Sequence, residues 1–546
     1  MTVDGGLDEP AELEPEQGSL DLASPEDTWT TADWEHQAAA VLRKAKRLGE
    51  DDPDDLVWDR LTRTTLDGIP VTPLGTPELL DDLLTSGRPT RSGDWDIRSQ
   101  VSTNEDALVD LEGGVTSLWL RAASDADLAT VLKDVLLDLA PVVLDGPDPA
   151  AFLAYAAGRD LHPATNLGVP AAAATAEVAR LALEAGVLGF VVDATVVHDR
   201  GASDAQELGW SIAAGATYLR ALTDAGVALD EAASLVEFRY AVTDEQFPSI
   251  AKLRAARRLW ARVLELSEAT SREQRQHAVT SRPMMSKYDP WVNMLRTTVA
   301  AFAAGVGGAD AVTVLPFDSP LGRPDAFGRR IARNTSHLLI DESHVARVAD
   351  PAGGSYAVEK LTDDLARAGW EVFGRIEAGE SLDDSIAEVV AKREAEIVRR
   401  KRPITGLTEF PNLGEALPER DGEGDDVRRY GASFEALRDA PADKFVFLAT
   451  LGTVAQHTAR ATFATNLFAA GGIAVDVAEH RGQSVVCLAG TDAAYDEHGA
   501  ETAADLRRNG AEWVIVAGKP RDWADDSCAM GVDALDFLTR TREKLA

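Results

Sequence analysis

From Ser117 onward, short apolar runs alternate with longer stretches of helical periodicity. The runs are SLWLRA at 117, PVVLDG at 141, HPATNLG at 162, LGFVVDA at 188, SLVEFRY at 234, HAVTSR at 277, AVTVLPF at 311 and HLLID at 337. Each is short, apolar and bounded by turn-forming residues, the signature of a buried strand. Between them, Ala171 to Ala185, Asp204 to Ala225, Ile250 to Leu266 and Trp291 to Ala304 carry helical spacing. Eight β-then-α units over about 250 residues predict a closed (β/α)8 TIM barrel of the α/β class. A doubly wound open sheet is the alternative.

The flanks read differently. Residues 1–28 hold nine acidic residues, no Lys or Arg and three prolines, too little apolar material to offset the entropy of ordering, so an acidic disordered tail is expected. Thr31 to Leu48 reads as an amphipathic helix and Trp58 to Pro73 as an extended arm turning at Asp67-Gly68. Residues 29–115 are thus an N-terminal arm and helices with little core of their own, suited to packing on another domain or chain. The barrel with its trailing helices is placed at 116–402, ending at the basic run Arg399-Arg400-Lys401-Arg402, which suits the negative end of a helix dipole. Residues 403–442, with several Pro and Gly and an acidic cluster, read as a linker. Residues 443–546 repeat the β-then-α rhythm, with strands at 445–450, 473–477, 485–489 and 513–517, which predicts a flavodoxin-like domain of four or five parallel strands.

Charge and cysteine content narrow the function. The chain has 546 residues, 91 acidic against 54 basic, and a formal charge of -37, a balance opposed to nucleic-acid binding. Cys487 and Cys528 are the only cysteines, too few for a disulfide framework. With no long apolar run and no signal-peptide pattern, a cytoplasmic protein without a membrane partner is expected.

Lys444 to Gly472 holds the main chemical candidate. The apolar run ends in a glycine corner, Thr453 is placed to cap the next helix, and His457 follows just inside it. That puts an imidazole near the carboxyl edge of a parallel sheet, where open α/β folds bind ligands. It is either a metal ligand or an ordinary surface histidine, and a lone histidine without a carboxylate partner favours the second. His198 reads as a polar residue at a strand end. Arg254, Arg257 and Arg258 read as a solvated or interface face, Asp350 to Gly354 as a turn, and Ala303 to Gly308 as a helix end.

Several stretches carry a resemblance. TSRPMMSKYDPWVNMLRTTVAAFAAGVGGADAVTVLPFD from 280 and RIARNTSHLLIDESHVARVADPAGGSY from 330 are similar to the barrel of the adenosylcobalamin-dependent acyl-CoA mutases, most closely methylmalonyl-CoA mutase. DGIPVTPL at 67–74, IAKLRAARRLW at 250–260 and TGLTEFPN at 405–412 resemble landmarks of the same family, in the same order. The resemblance implies a cobalamin-binding-type C-terminal domain, an isomerase of methylmalonyl-CoA and succinyl-CoA, and radical chemistry that must exclude water.

Departures from the family's pattern all point one way. The family's cobalamin corner is Asp-x-His-x-x-Gly; here the stretch is Ala455-Gln456-His457-Thr458-Ala459-Arg460, keeping the histidine and losing the orienting acid and the glycine. The glycine-rich floor is reduced to Ala517-Gly518 before Lys519. In the barrel, Ile97-Arg98-Ser99-Gln100-Val101 lacks the expected tyrosine, the Tyr-His pair falls at Thr195 to His198 without its tyrosine, and Val279 replaces a glutamine. A barrel threaded by a CoA tail also needs small polar inward residues, whereas FVVDA, SLVEFRY, AVTVLPF and HLLID are bulky and include Glu237 and Arg239, so a filled interior is expected. Heterodimeric members of the family pair a catalytic large subunit with a similar, cofactor-free small subunit. The resemblance therefore implies a small subunit, with no catalytic, cofactor or metal residue of its own beyond the weak candidate His457, and adenosylcobalamin on the large partner. A self-sufficient mutase using His457, and a mutase-associated binding or chaperone module, are the alternatives.

Overall fold

The computed structural model describes residues 27–546 apart from 82, 84, 122–126 and 479. The expected acidic tail therefore lies almost wholly outside the described residues. Two compact units result, a smaller one ending at Thr64 and including Pro70–Leu74, and a larger one of Thr65–Ile69 with Gly75–Ala546.

In the smaller unit the helix Thr31–Lys44 starts on a Thr30 cap whose hydroxyl accepts from the Asp33 amide while the Asp33 carboxylate reaches back to Thr30, a reciprocal capping box. Ala39, Leu42, Leu48 and Val57 form its small core, with Trp34 and Trp58 in contact. The turn foreseen at Asp67-Gly68 joins Arg63–Thr64 to Pro70–Val71, which pair antiparallel.

The larger unit contains a closed barrel of eight parallel strands: β1 Asp96–Val101, β2 Ser117–Arg121, β3 Val142–Asp145, β4 Asn166–Pro170, β5 Leu188–Asp193, β6 Val236–Val242, β7 Arg275–Thr280 and β8 Ala311–Thr313. Seven of the expected strands are present. HLLID is not one of them: the helix Ala326–His337 runs on through Leu338–Glu342 as a wider turn, burying Leu339 and Ile340 on one side and exposing Leu338. The missing strand is β1, ahead of the expected start of the barrel at 116. Its sequence DIRSQV hides a strand because its inward Arg98 is compensated by partners far along the chain.

Period-2 alternation divides β6 between two environments. Val236, Phe238, Tyr240 and Val242 alternate with the inward residues and are fully buried, each burial being worth about 1.5 to 3 kcal/mol. Phe238 packs on Trp260 of the helix Gln246–Leu266 at 4.7 Å. Gly215, on the helix Asp204–Asp224, leaves the space these rings occupy, since a Cβ there would lie 2.7 Å from Trp260. The helix Tyr356–Glu377 packs over both of these helices. Arg254 and Arg257, expected on a solvated or interface face, are instead buried: Arg254 pairs with Asp350 and Glu359, and Arg257 donates to Gln276 and to the Gly87 and Gly307 carbonyls. Arg258 pairs with Asp363 at 2.7 Å. The helix faces its neighbours on both sides, so these basic residues find their partners within the chain.

The C-terminal sheet comprises β9 Val446–Thr450, β10 Val475–Asp476, β11 Val485–Ala489, β12 Trp513–Ala517 and β13 Asp526–Cys528. All pair in parallel, in the order β10-β9-β11-β12-β13, the flavodoxin-like arrangement. One face packs on the helices Val454–Ala470 and Ala534–Leu545, the other on Ala500–Arg508. Residues 403–442, expected as a linker, contribute Leu407 and Phe434 to the first of these cores and form the helix Ala432–Asp439. The Tyr288 hydroxyl donates to Asp439 at 2.7 Å, tying this segment to the barrel. Among the described residues no helix is long and apolar enough to cross a membrane.

Candidate functional site

Two places in this architecture are positioned to hold a ligand, the barrel axis and the carboxyl edge of the C-terminal sheet. Side chains from opposite strands fill the axis. β1 and β6 are not neighbours, so the 2.7 Å pair between Arg98 and Glu237 crosses the interior. Arg275 of β7 reaches the other Glu237 oxygen at 3.2 Å. Arg239 lies 4.0 Å over the Trp119 ring, donates to Asp193 at 2.7 Å and to His277 at 3.1 Å, and His277 bonds Thr313 at 2.8 Å. The expected filling is found, but its material differs from expectation: the branched residues face the helices, while ion pairs and aromatic rings occupy the middle.

The electrostatics follow from mutual compensation. Burial works against the charge on Glu237, yet Arg98 and Arg275 outweigh it and hold its carboxyl below the ordinary glutamate value. His277 is driven well below the ordinary histidine range by burial, and then by Arg98, Arg239 and Arg275 around it. It is therefore a neutral spacer among cations.

At the carboxyl end of the barrel, His198 lies in the short helix Thr195–His198 that follows β5. It is buried, its Nε2 is 2.7 Å from Ser281 Oγ and its Nδ1 is 3.4 Å from Glu207. Glu207 is already engaged, accepting from Lys252 at 2.7 Å and from the Ala241 amide at 2.8 Å. Lys252 also meets Asp204 at 2.9 Å; burial opposes its charge, but the two carboxylates raise its pKa above the ordinary lysine value. Ser281 is 1% exposed and His198 3% exposed, so the cluster is enclosed at the barrel end. Val279 occupies β7 between His277 and Ser281.

The second place is the sheet edge. The chain leaves β9, passes through the helix Val454–Ala470 to β10, and returns to the other side of β9 as β11. The gap between the ends of β9 and β11 is thus the topological switch point, the usual ligand crevice of such a sheet. Gln456 Oε1 accepts from the Thr453 amide at 2.8 Å, fixing the helix start where the sequence predicts it. His457 is half-buried on the first turn, and its Nδ1 is buried without a hydrogen-bond partner. That is the ring nitrogen an orienting carboxylate would hold; with Ala455 in the corner, none is supplied. Arg460, one turn later, reaches across the edge. Its guanidinium donates to the Gly490 carbonyl at 2.8 Å and to Asp492 at 3.0 Å and lies 5.2 Å over the Tyr495 ring.

Tyr495 supports this bridge. It is 1% exposed, accepts from the Gly490 amide at 2.8 Å, and its hydroxyl faces the Leu488 and Ala517 carbonyls at 3.1 and 2.8 Å. Arg521 flanks the same ring and pairs with Asp492 at 3.2 Å. Arg460 and then Arg521 hold the Asp492 carboxyl below its ordinary value. Gly518 has φ of 153°, and a Cβ there would meet Arg460 Nη1 at 3.2 Å. The reduced glycine floor thus accommodates an arginine. The sequence shows Arg460 where the family's corner has glycine; it gives no comparable sign of Tyr495, Asp492 and Arg521, an aromatic and charged residues in the segments after β11 and β12. A separate cavity of about 360 Å³, lined by Leu219, Val263, Trp370 and Phe373, lies between outer helices of the barrel.

A family profile described as methylmalonyl-CoA mutase matches residues 188–446. The methylmalonyl-CoA mutase small subunit of Streptomyces virginiae is 42% identical, across 97% of this chain and 99% of its own length. The chain belongs to the methylmalonyl-CoA mutase family. Within this mutase family, a probable small subunit from Mycobacterium tuberculosis is 39% identical over 90% of this chain and 93% of its own. The small subunit of Propionibacterium freudenreichii subsp. shermanii is 34% identical over 96% of each. These high-coverage relatives are all small subunits, and the family's enzymes are isomerases.

Proposed function

We propose that this chain is the non-catalytic small subunit of a heterodimeric methylmalonyl-CoA mutase in the cytoplasm. A catalytic large subunit then carries the adenosylcobalamin and converts methylmalonyl-CoA to succinyl-CoA. The observation that carries the reading is Arg460 spanning the switch-point crevice from His457's own helix to Gly490. The residues present do not fit a cobalamin: the crevice is bridged by Arg460, and the imidazole lacks an orienting acid. The barrel supports the same conclusion, because a substrate chain along its axis would have to displace the Arg98–Glu237–Arg275 system.

What remains for this chain is assembly. A large, related partner is stabilised by buried interface without any chemistry from the second chain. The smaller unit supports that role, since Trp29 and Val41 are 79% and 67% exposed on a segment with a minimal core, an arrangement suited to burial against another chain.

The test is co-expression with a longer family member that keeps an intact Asp-x-His-x-x-Gly corner. A stable 1:1 complex is expected, with turnover of methylmalonyl-CoA by the complex and none by this chain alone. Turnover by the isolated chain with adenosylcobalamin, or failure to form the complex, would sink the proposal.

A further inference from the structure

We infer that Arg460 is the lock that excludes a corrinoid from this domain, and that removing it reopens a latent cobalamin crevice which His457 still faces. The inference rests on the small-subunit reading but goes further. It assigns the exclusion to one side chain and treats the rest of the crevice as retained.

Three observations carry it. First, the scaffold is intact: the strand order is that of a ligand-binding flavodoxin-like sheet, the glycine at 452 keeps a left-handed φ of 86°, and the helix starts beside β9 as such a site requires. Second, Arg460 crosses from the helix on one face of the sheet to the segment after β11, where it meets the Gly490 carbonyl, Asp492 and the ring of Tyr495. Asp492 and Tyr495 also have a partner in Arg521. They therefore stay anchored when Arg460 is removed, and the loop has a reason to keep its position. Third, His457 Nδ1 is buried and unpartnered three residues before the lock. An imidazole with one idle nitrogen can take a metal on the other ring nitrogen, and a carboxylate beside the idle one strengthens that ligation.

Glycine at 460 removes the whole obstructing side chain at the position where the family's corner has glycine. Aspartate at 455 would lie in the first turn of the helix, where a negative charge is favoured by the dipole.

The probe is hydroxocobalamin, measured by equilibrium dialysis and by its visible spectrum with the full-length chain. Four proteins are compared: wild type, R460G, A455D/R460G, and the latter carrying H457A. Circular dichroism establishes folding, and hydrogen exchange reports on residues 451–453 and 490–492. Wild type is expected to retain no more cobalamin than a control protein, and R460G at least about tenfold more. A455D/R460G is expected to add the spectral change of imidazole on cobalt, and H457A to remove it. If R460G does not fold, R460Q, which shortens the side chain and removes the charged fork, replaces it with the same expected direction. A folded variant that retains no more cobalamin than wild type overturns the inference, whether or not exchange at the edge changes. Wild type binding as well as the variants would overturn both this inference and the cofactor-free reading, whereas failure to pair with a large chain touches only the proposed function.

Discussion

The barrel axis and the C-terminal sheet edge are both closed by arginines, yet they are closed in different ways. In the barrel, Glu237 is the shared counter-ion of Arg98, from a strand that is not its neighbour, and of the half-buried Arg275, while Asp193 is that of Arg239. No single residue there is a plug, because each charge is the counter-ion of another. At the sheet edge, Arg460 is about one-third exposed and rests on a carbonyl, a carboxylate and a ring that keep other partners. Interior closure is therefore cooperative and structural, whereas edge closure is local and removable. A fold can lose one ligand site irreversibly and another by a single side chain.

The largest expected effect breaks the interior. Glu237→Gln leaves Arg98 and Arg275 without their shared counter-ion, and should cost about 3 to 5 kcal/mol, read as a lower urea midpoint by tryptophan fluorescence. A neutral result would mean that the axis is hydrated rather than filled.

The second effect lies beside the barrel end. Asp67, at the tip of the arm's turn, accepts from the Ala205 amide at 3.4 Å. Its carboxyl is pushed up to about 6, mainly by burial and then by Asp204. The folded chain thus holds a proton that the unfolded chain releases near pH 4. The stability from this group is fully present below pH 4 and is lost as pH rises through 6, by about 2 to 3 kcal/mol. Asp67→Asn should flatten that part of the stability profile between pH 4 and 7 relative to wild type; an unchanged slope would place the linkage elsewhere.

Smaller effects belong to the edge. Arg460→Ala should cost about 1 kcal/mol, the scale of its net hydrogen bonding, seen in thermal unfolding of the C-terminal domain. A loss as large as that of Glu237→Gln would erase the contrast between the two closures. His457→Ala should change stability by less than about 0.5 kcal/mol and leave pairing with a large subunit intact, because the ring's Nδ1 makes no hydrogen bond.

Much of the fold was legible in the sequence because it depends on local patterning. Seven barrel strands, the helices that follow them and the helix cap at Thr453 follow from apolar runs and turn residues. HLLID misled because a short apolar run fits one face of a helix as well as a strand. β1 was hidden because Arg98 and Ser99 look exposed until Glu237 and Ser117 are brought to the first and Asp110 to the second. Arg254 and Arg257 misled in the same way, as their partners Asp350, Glu359 and Gln276 come from other elements. At the candidate site, His457 and Arg460 were visible as a histidine without its acid and an arginine in place of a glycine, while Tyr495 and Asp492 were not.

By itself, the sequence determined the period of most elements, their β-then-α repetition and the identities at the degenerate corner, since these depend on neighbours within a few residues. Only the tertiary structure decided which charges are compensated and what closes each ligand site. Those outcomes depend on side chains from distant segments meeting within hydrogen-bonding distance, where burial makes a paired charge tolerable and an unpaired one costly.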